Sequence, residues 1–144
     1  MQQIRVLVAD DNERFGVMLS RFVASYPDMD VVGIAAGGRE AMSMAESSHP
    51  DVVVMDLYMP DMDGFEATRL LTSAQPRTKV IALTANRSDD NRQRSLEAGA
   101  AAFIPKVQVD TDLIEAIRDL THENEQDDDF KPPAGTGESP AWGS

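Results

Sequence analysis

Residues 52–64 read Val-Val-Val-Met-Asp-Leu-Tyr-Met-Pro-Asp-Met-Asp-Gly, an apolar run that ends at one acidic residue, Asp56. The run lacks the alternation of a half-buried strand, so it predicts a short strand that is covered on both faces. The proline and the glycine that follow predict a tight loop, because proline fixes φ and glycine permits a sharp bend. We therefore expect Asp56 at the carboxyl end of a buried strand.

Apolar runs elsewhere in the chain predict further strands, with segments of helical period between them. Residues 15–23 carry a clear apolar stripe, whereas residues 88–98 are mostly polar and predict a helix that is loosely held and able to move. Regular alternation of strand and helix predicts an α/β fold with one five-stranded parallel sheet and helices on both faces. The other predicted strands are residues 4–9, 30–35, 79–83 and 101–104.

Composition limits the functions that the chain can have. Its formal net charge is −12, which makes a direct contact with nucleic acid unfavourable. The sequence has no cysteine, so disulfides and cysteine chemistry are excluded. It has no signal peptide and no apolar run approaching the ~20 residues of a membrane span, so we expect no membrane contact and a cytoplasmic location.

The last part of the chain differs in composition from the rest. Residues 123–144 contain the acidic run 127–129 followed by a stretch rich in proline and glycine. Such composition is typical of linkers and disordered tails. The sequence therefore predicts one domain over residues 1–122 and a disordered tail or linker over residues 123–144.

Polar side chains follow four of the predicted strands. Asp10 and Asp11 follow the first strand, Asp56 the third, Thr84 the fourth and Lys106 the fifth. Because the carboxyl ends of parallel strands meet at one edge of a sheet, we expect these side chains to converge. Carboxylates so close together repel one another unless a cation neutralises them. An all-oxygen ligand set predicts Mg²⁺, with Mn²⁺ as the alternative ion.

The same side chains suit the acceptance of a phosphoryl group. An aspartate can attack phosphorus to form an acyl phosphate, and a cation with Lys106 can offset the negative charge of the arriving group. The Thr84 hydroxyl can then bond to a phosphoryl oxygen. Each residue alone would more often be a turn, cap or solvated residue, so the prediction depends on their joint placement.

These stretches together resemble the receiver domain of bacterial two-component response regulators. The resemblance covers residues 3–122 and lies mainly in residues 6–12, 53–64, 80–85 and 99–106. It implies a flavodoxin-like sheet in the order 2-1-3-4-5. It also implies a signalling switch rather than an enzyme, which accepts a phosphoryl group from a histidine kinase or a histidine phosphotransfer protein.

The resemblance further implies a role for each matching residue. Asp56 corresponds to the phosphoacceptor, and Mg²⁺ would be held by Asp10, Asp11, Asp56 and the backbone carbonyl of Tyr58. Thr84 and Lys106 correspond to the phosphoryl-binding residues, and Phe103 to the aromatic ring that turns inward on activation. The face formed by residues 88–121 would then contact an output domain, a downstream protein or a second copy of the chain.

Three residues depart from the pattern of the family. Val107 rather than proline follows Lys106, and this variation resembles regulators with a C-terminal helix-turn-helix domain. Tyr58 and Asn86 occupy the positions expected to set the lifetime of the phosphoaspartate, and a large ring at position 58 predicts a moderately long lifetime. The tail would be either a linker to an output domain or the end of a single-domain regulator.

Other functions fit the residues less well. A flavin phosphate site would require a loop rich in glycine, serine or threonine after the first strand, where this chain has Asp10 and Asp11. A phosphatase with an aspartyl nucleophile would require a general acid where Tyr58 stands. A pseudo-receiver that binds proteins without being phosphorylated is the main alternative.

Overall fold

The computed structural model describes residues 3–85 and 89–129. They form one parallel sheet of five strands in the order β2-β1-β3-β4-β5, which confirms the predicted fold class and strand order. The strands are β1 Ile4–Ala9, β2 Met29–Ala35, β3 Val52–Asp56, β4 Lys79–Thr84 and β5 Ala102–Pro105. The helices are α1 Glu13–Ala24, α2 Gly38–Ser48, α3 Gly64–Ala74, α4 Asp89–Glu97 and α5 Val109–Asp129, with a 3₁₀ turn at Lys106–Gln108.

Both faces of the sheet are covered, which explains the unbroken apolar runs in the sequence. Successive side chains of a strand point to opposite faces. In β3, Val52 and Val54 join the core on the side of α1 and α5, whereas Val53 and Met55 join the core on the side of α2 and α3. Every residue of β3 is buried, and only Asp56 at its end is charged.

Helix α4 is as polar as its sequence predicted, and its buried face includes polar side chains. Asn91 and Ser95 of α4 are buried, as is Ala98 in the turn after it, and the three follow one another at helical spacing. The helix ends before Gly99, whose φ of +113° is a backbone conformation that favours glycine. The predicted mobility of this helix stays a prediction.

Helix α5 extends further than the sequence predicted. It runs to Asp129, so residues 123–129 are helical where a disordered tail was expected. Glutamate and glutamine are good helix formers, and lengthening an existing helix requires no new nucleus. Residues 130–144 of the predicted tail lie outside the described residues, and the predicted domain boundary at residue 122 stays a prediction.

No helix in the described ranges is both long enough and apolar enough to cross a membrane.

Candidate functional site

Three aspartates meet at the carboxyl edge of the sheet. One carboxylate oxygen each from Asp10, Asp11 and Asp56 lies within 4.8 Å of the others. Asp10 is 2% exposed and Asp56 is 5% exposed, while Asp11 faces solvent. The structure therefore brings together the three carboxylates that the sequence predicted, with one of them open to the surface.

Lys106 supplies a positive charge to this cluster. Its ammonium nitrogen lies 2.8 Å from Asp10 Oδ2 and 3.6 Å from Asp56 Oδ2. The sequence left open how Lys106 is positioned without a proline after it. The structure places Lys106 at the start of the 3₁₀ turn, with its ammonium group 4.4 Å from the centre of the Phe15 ring. Val107, which stands where the proline would be, is 74% exposed.

Asn12, at the start of α1, fixes two of the residues that surround Lys106. The Asn12 side chain caps the helix by accepting a hydrogen bond from the backbone N–H of Phe15, and the Asn12 backbone N–H donates to Asp10 Oδ1 at 2.8 Å. The short segment after β1 therefore orients both an acid of the cluster and the ring beneath Lys106.

Electrostatics within the cluster favour a bound cation. Burial and then the charge of Asp10 raise the pKa of Asp56, which stands at about 6 although Lys106 opposes the rise. Asp10 Oδ2 is buried and accepts no well-formed hydrogen bond among the described residues, although Lys106 lies close enough for an ion pair. Three carboxylates against one ammonium leave excess negative charge. An oxygen-seeking divalent ion fits this donor set.

The loop after Asp56 is held close to the strand ends. The backbone N–H of Leu57 donates to Leu83 in β4, and that of Gly64 donates to Leu57 at 2.8 Å. A Cβ atom at Gly64 would lie 2.3 Å from the backbone oxygen of Asp56. Only glycine therefore allows α3 to start so near the acceptor residue.

Asp61 makes a contact that the sequence did not indicate. Its carboxylate accepts hydrogen bonds from the backbone N–H groups of Gly38 and Arg39, at 3.0 and 3.1 Å, at the start of α2. The α2 helix has no capping side chain of its own, because its N-cap residue is Gly37. Asp61 thus caps α2 from the loop that follows the acceptor strand.

The proposed switch residues lie in β4 and β5, the two strands that follow β3 in the sheet. Thr84 is fully buried at the end of β4, and its partner in β5 is Pro105. Phe103 is half-buried against a small core of Leu57, Phe65, Ala82, Ala98 and Ala100. Asn86, one of the two residues expected to set the phosphoaspartate lifetime, lies outside the described residues.

Tyr58, the other residue of that pair, contacts helix α4. Its hydroxyl donates a hydrogen bond to Asn91 Oδ1 at 2.5 Å, and its ring meets the Phe65 ring edge to face. Asn91 was missed from the sequence, because one asparagine in a polar helix gives no signal of a buried contact.

Comparison with known proteins identifies the family. The family model of the response regulator receiver domain matches residues 6–118. The response regulator protein VraR of Staphylococcus saprophyticus is 38% identical over 122 residues, which cover 85% of this chain and 58% of that protein. VraR of Staphylococcus aureus is 38% identical over 115 residues, which cover 80% of this chain and 55% of that protein. The chain thus spans little more than half the length of these relatives.

Solved structures agree with this match. The signal receiver domain of the response regulator NarL from Mycobacterium tuberculosis is 29% identical with a TM-score of 0.80, over 85% of this chain and 98% of that chain. The response regulator domain of CheB from Thermotoga maritima is 34% identical with a TM-score of 0.77, over 84% of this chain and 98% of that chain. The chain therefore belongs to the response regulator receiver domain family of two-component signal transduction.

Proposed function

We propose that Asp56 is the phosphoacceptor of this receiver domain and that it takes its phosphoryl group from a phosphohistidine on a partner kinase or phosphotransfer protein. The observation that supports the proposal best is the cluster of Asp10, Asp11 and Asp56 with Lys106 against it. Asp56 stands at the end of the buried central strand β3, where a nucleophile is held firmly but still reaches the edge of the sheet.

The proposed transfer requires that the Asp56 carboxylate be ionised. One of its oxygens forms a bond to phosphorus while the phosphorus–nitrogen bond of the donor breaks, and the donor imidazole, protonated on its other ring nitrogen, leaves as neutral imidazole. The product is an acyl phosphate on Asp56. Lys106 moves its ammonium group toward the new phosphoryl oxygens, and Thr84 donates its hydroxyl hydrogen to another of them.

Asp10, Asp11, Asp56 and the backbone carbonyl of Tyr58 would hold Mg²⁺, or Mn²⁺ in its place. The bound ion supplies positive charge against the acidic cluster and the arriving phosphoryl group. The exposed Asp11 gives a route by which the ion can enter from solvent. In this proposal the domain promotes its own phosphorylation and dephosphorylation, and it is not an enzyme that acts on a separate substrate.

Phosphorylation acts through a shift of population between two conformations. In the activated state Thr84 bonds to the phosphoryl group and the half-buried Phe103 turns inward. The face formed by residues 88–121 changes with them and contacts an output domain, a downstream protein or a second copy of the chain. The longer VraR relatives favour an output domain that regulates transcription, and the absence of cysteine suits the cytoplasm.

The test is incubation with acetyl phosphate, with and without Mg²⁺, followed by intact mass spectrometry. We expect one added phosphoryl group only when the metal is present, and none in Asp56→Asn. An adduct that forms equally without metal, or that persists in Asp56→Asn, would contradict the proposal. Complete failure of the wild-type chain to react would instead favour the pseudo-receiver alternative.

A further inference from the structure

Tyr58 is held at three points although half of it is exposed to solvent. Its backbone N–H lies 3.4 Å from Asp56 Oδ1, its ring packs edge to face on Phe65 with the ring centres 6.1 Å apart, and its hydroxyl bonds to Asn91. A tyrosine that is 51% exposed ordinarily samples several rotamers. These contacts instead fix the side chain between its backbone contact with Asp56 and its hydroxyl contact with α4.

Helix α4 makes two of the contacts that hold the Tyr58 and Phe65 rings. Asn91 is 2% exposed, so its amide oxygen is largely withdrawn from water and the hydroxyl of Tyr58 is a partner for it. One turn further along the helix, the Arg94 guanidinium lies 4.0 Å from the centre of the Phe65 ring. Successive turns of α4 therefore contact both members of the aromatic pair, Asn91 contacting Tyr58 and Arg94 contacting Phe65.

We propose that Asn91 is a positioning residue that holds the Tyr58 ring beside Asp56 and so slows the hydrolysis of the phosphoaspartate. This inference rests on the proposed function of Asp56. Hydrolysis requires a water molecule to approach phosphorus, whose new bond to the water oxygen forms as its bond to the Asp56 oxygen breaks, releasing inorganic phosphate. Because Tyr58 follows Asp56 by two residues and its backbone nitrogen lies 3.4 Å from Asp56 Oδ1, a ring that cannot swing away restricts the approach of this water.

The role of Asn91 follows from the kind of contact it makes. Without the hydrogen bond, Tyr58 keeps its ring but loses its anchor on α4, so the ring can turn outward into solvent. The lifetime of the phosphoaspartate is then coupled to the position of α4, because the helix carries the anchor.

The experiment compares the rates at which the variants lose the phosphoryl group once the phosphodonor has been removed. The concentration of Mg²⁺ is the same for every variant. The variants are Tyr58→Phe, which keeps the ring and removes the hydroxyl, Asn91→Ala, and the two combined. We expect each single variant to lose its phosphoryl group roughly fivefold faster than the wild type, the effect of one neutral hydrogen bond. The double variant should be no faster than the faster single variant, because both changes break the same bond.

Asn91→Asp provides a rescue test, because a carboxylate can still accept the tyrosine hydroxyl. Comparing it in the wild-type and Tyr58→Phe backgrounds separates the added charge from the restored bond. We expect Asn91→Asp to slow hydrolysis relative to Asn91→Ala only where the Tyr58 hydroxyl is present. A merely structural role of Asn91 would give the same change in both backgrounds.

The outcomes separate this inference from the proposed function. Wild-type rates in Tyr58→Phe, or rates that multiply in the double variant, overturn the role of Asn91 while Asp56 remains the acceptor. Failure of the wild-type chain to form any adduct overturns both. Should Asn91→Ala fail to fold, Tyr58→Phe and Asn91→Asp still decide the question.

Discussion

The ammonium nitrogen of Lys106 lies 2.8 Å from Asp10 Oδ2, closer than its 3.6 Å from Asp56 Oδ2. In this arrangement Lys106 neutralises a proposed metal ligand more directly than it neutralises the proposed nucleophile. Asp10, Asp11 and Asp56 would hold a divalent ion whose charge offsets theirs. Lys106 is then the residue that we expect to face the phosphoryl oxygens.

Removal of the Lys106 charge should slow phosphorylation. We expect Lys106→Gln to react with acetyl phosphate about a hundredfold more slowly than the wild type at saturating Mg²⁺, because one fixed charge facing the phosphoryl oxygens is lost. The measurement is the time course of the intact-mass adduct. Lys79→Gln is the matched control, since it also removes a lysine charge. Lys79 lies at the start of β4, at the edge of the sheet opposite to the aspartate cluster. Equal rates for the two variants would contradict the assigned role.

The raised pKa of Asp56 predicts a pH dependence of stability. The folded pKa is about 6 against an ordinary value of 3.8, so the folded state retains a proton that the unfolded state has lost. The tighter binding of this proton by the folded state stabilises the fold. This stabilisation is complete below about pH 4 and is lost as the pH rises through about 6. In the absence of divalent ions, Asp56→Asn should therefore be more stable than the wild type at pH 7.5, by up to about 3 kcal/mol.

Urea unfolding at pH 4 and pH 7.5 measures this difference. The gap between Asp56→Asn and the wild type should widen as the pH rises and should shrink when Mg²⁺ is added, because the ion favours the ionised carboxylate. A gap that is independent of pH would show that Asp56 titrates normally in the folded chain.

Gly64 predicts a steric effect on stability. In Gly64→Ala the new Cβ would lie 2.3 Å from the backbone oxygen of Asp56 and 2.6 Å from the Cα of Leu57, and backbone atoms cannot rotate away. We expect a loss of about 3 kcal/mol in the free energy of unfolding. Gly16→Ala is the control, because its Cβ meets a side-chain methyl group of Ile34 at 3.3 Å and gains helix propensity. Similar losses in both variants would be inconsistent with this explanation.

The cap that Asp61 provides predicts a smaller effect. Backbone N–H groups of Arg39 and Gly38 lower the pKa of Asp61, so its stabilising contribution is present above the ordinary value of 3.8 and is lost as the pH falls through the lowered folded value. We expect Asp61→Ala to lower the melting temperature at pH 7 by about 3 °C. Asp61→Asn should retain part of the cap. An unchanged melting temperature in Asp61→Ala would exclude the capping role.

The sequence predicted those features that depend on local periodicity. The buried strand before Asp56 was recognisable because its residues pack on both faces of the sheet, and the edge where Asp10, Asp11 and Asp56 meet followed from the parallel order. Contacts between distant loops and helices were not predictable. Tyr58 and Asn91 are 33 residues apart, and Asp61 and Gly38 are 23 residues apart, so no spacing pattern marks either pair.

The extent of α5 shows a second limit of the sequence reasoning. Acidic and amide residues after His122 suggested a tail, since they lack an apolar stripe that could pack on the sheet. Helix propensity alone is sufficient to continue a helix that is already anchored by Leu113, Ile117 and Leu120. Tertiary anchoring upstream therefore decided the structure of residues whose own pattern was neutral.

The central claim is that Asp56 forms the acyl phosphate, and reductive trapping tests it most directly. Borohydride reduces an aspartyl phosphate to homoserine, so the chain is phosphorylated with acetyl phosphate and Mg²⁺, reduced, digested and sequenced by mass spectrometry. We predict homoserine at position 56, with Asp10 and Asp11 unmodified and no conversion when Mg²⁺ is omitted. Homoserine at another aspartate, or none at all in a chain that carries the phosphoryl adduct, would contradict the account.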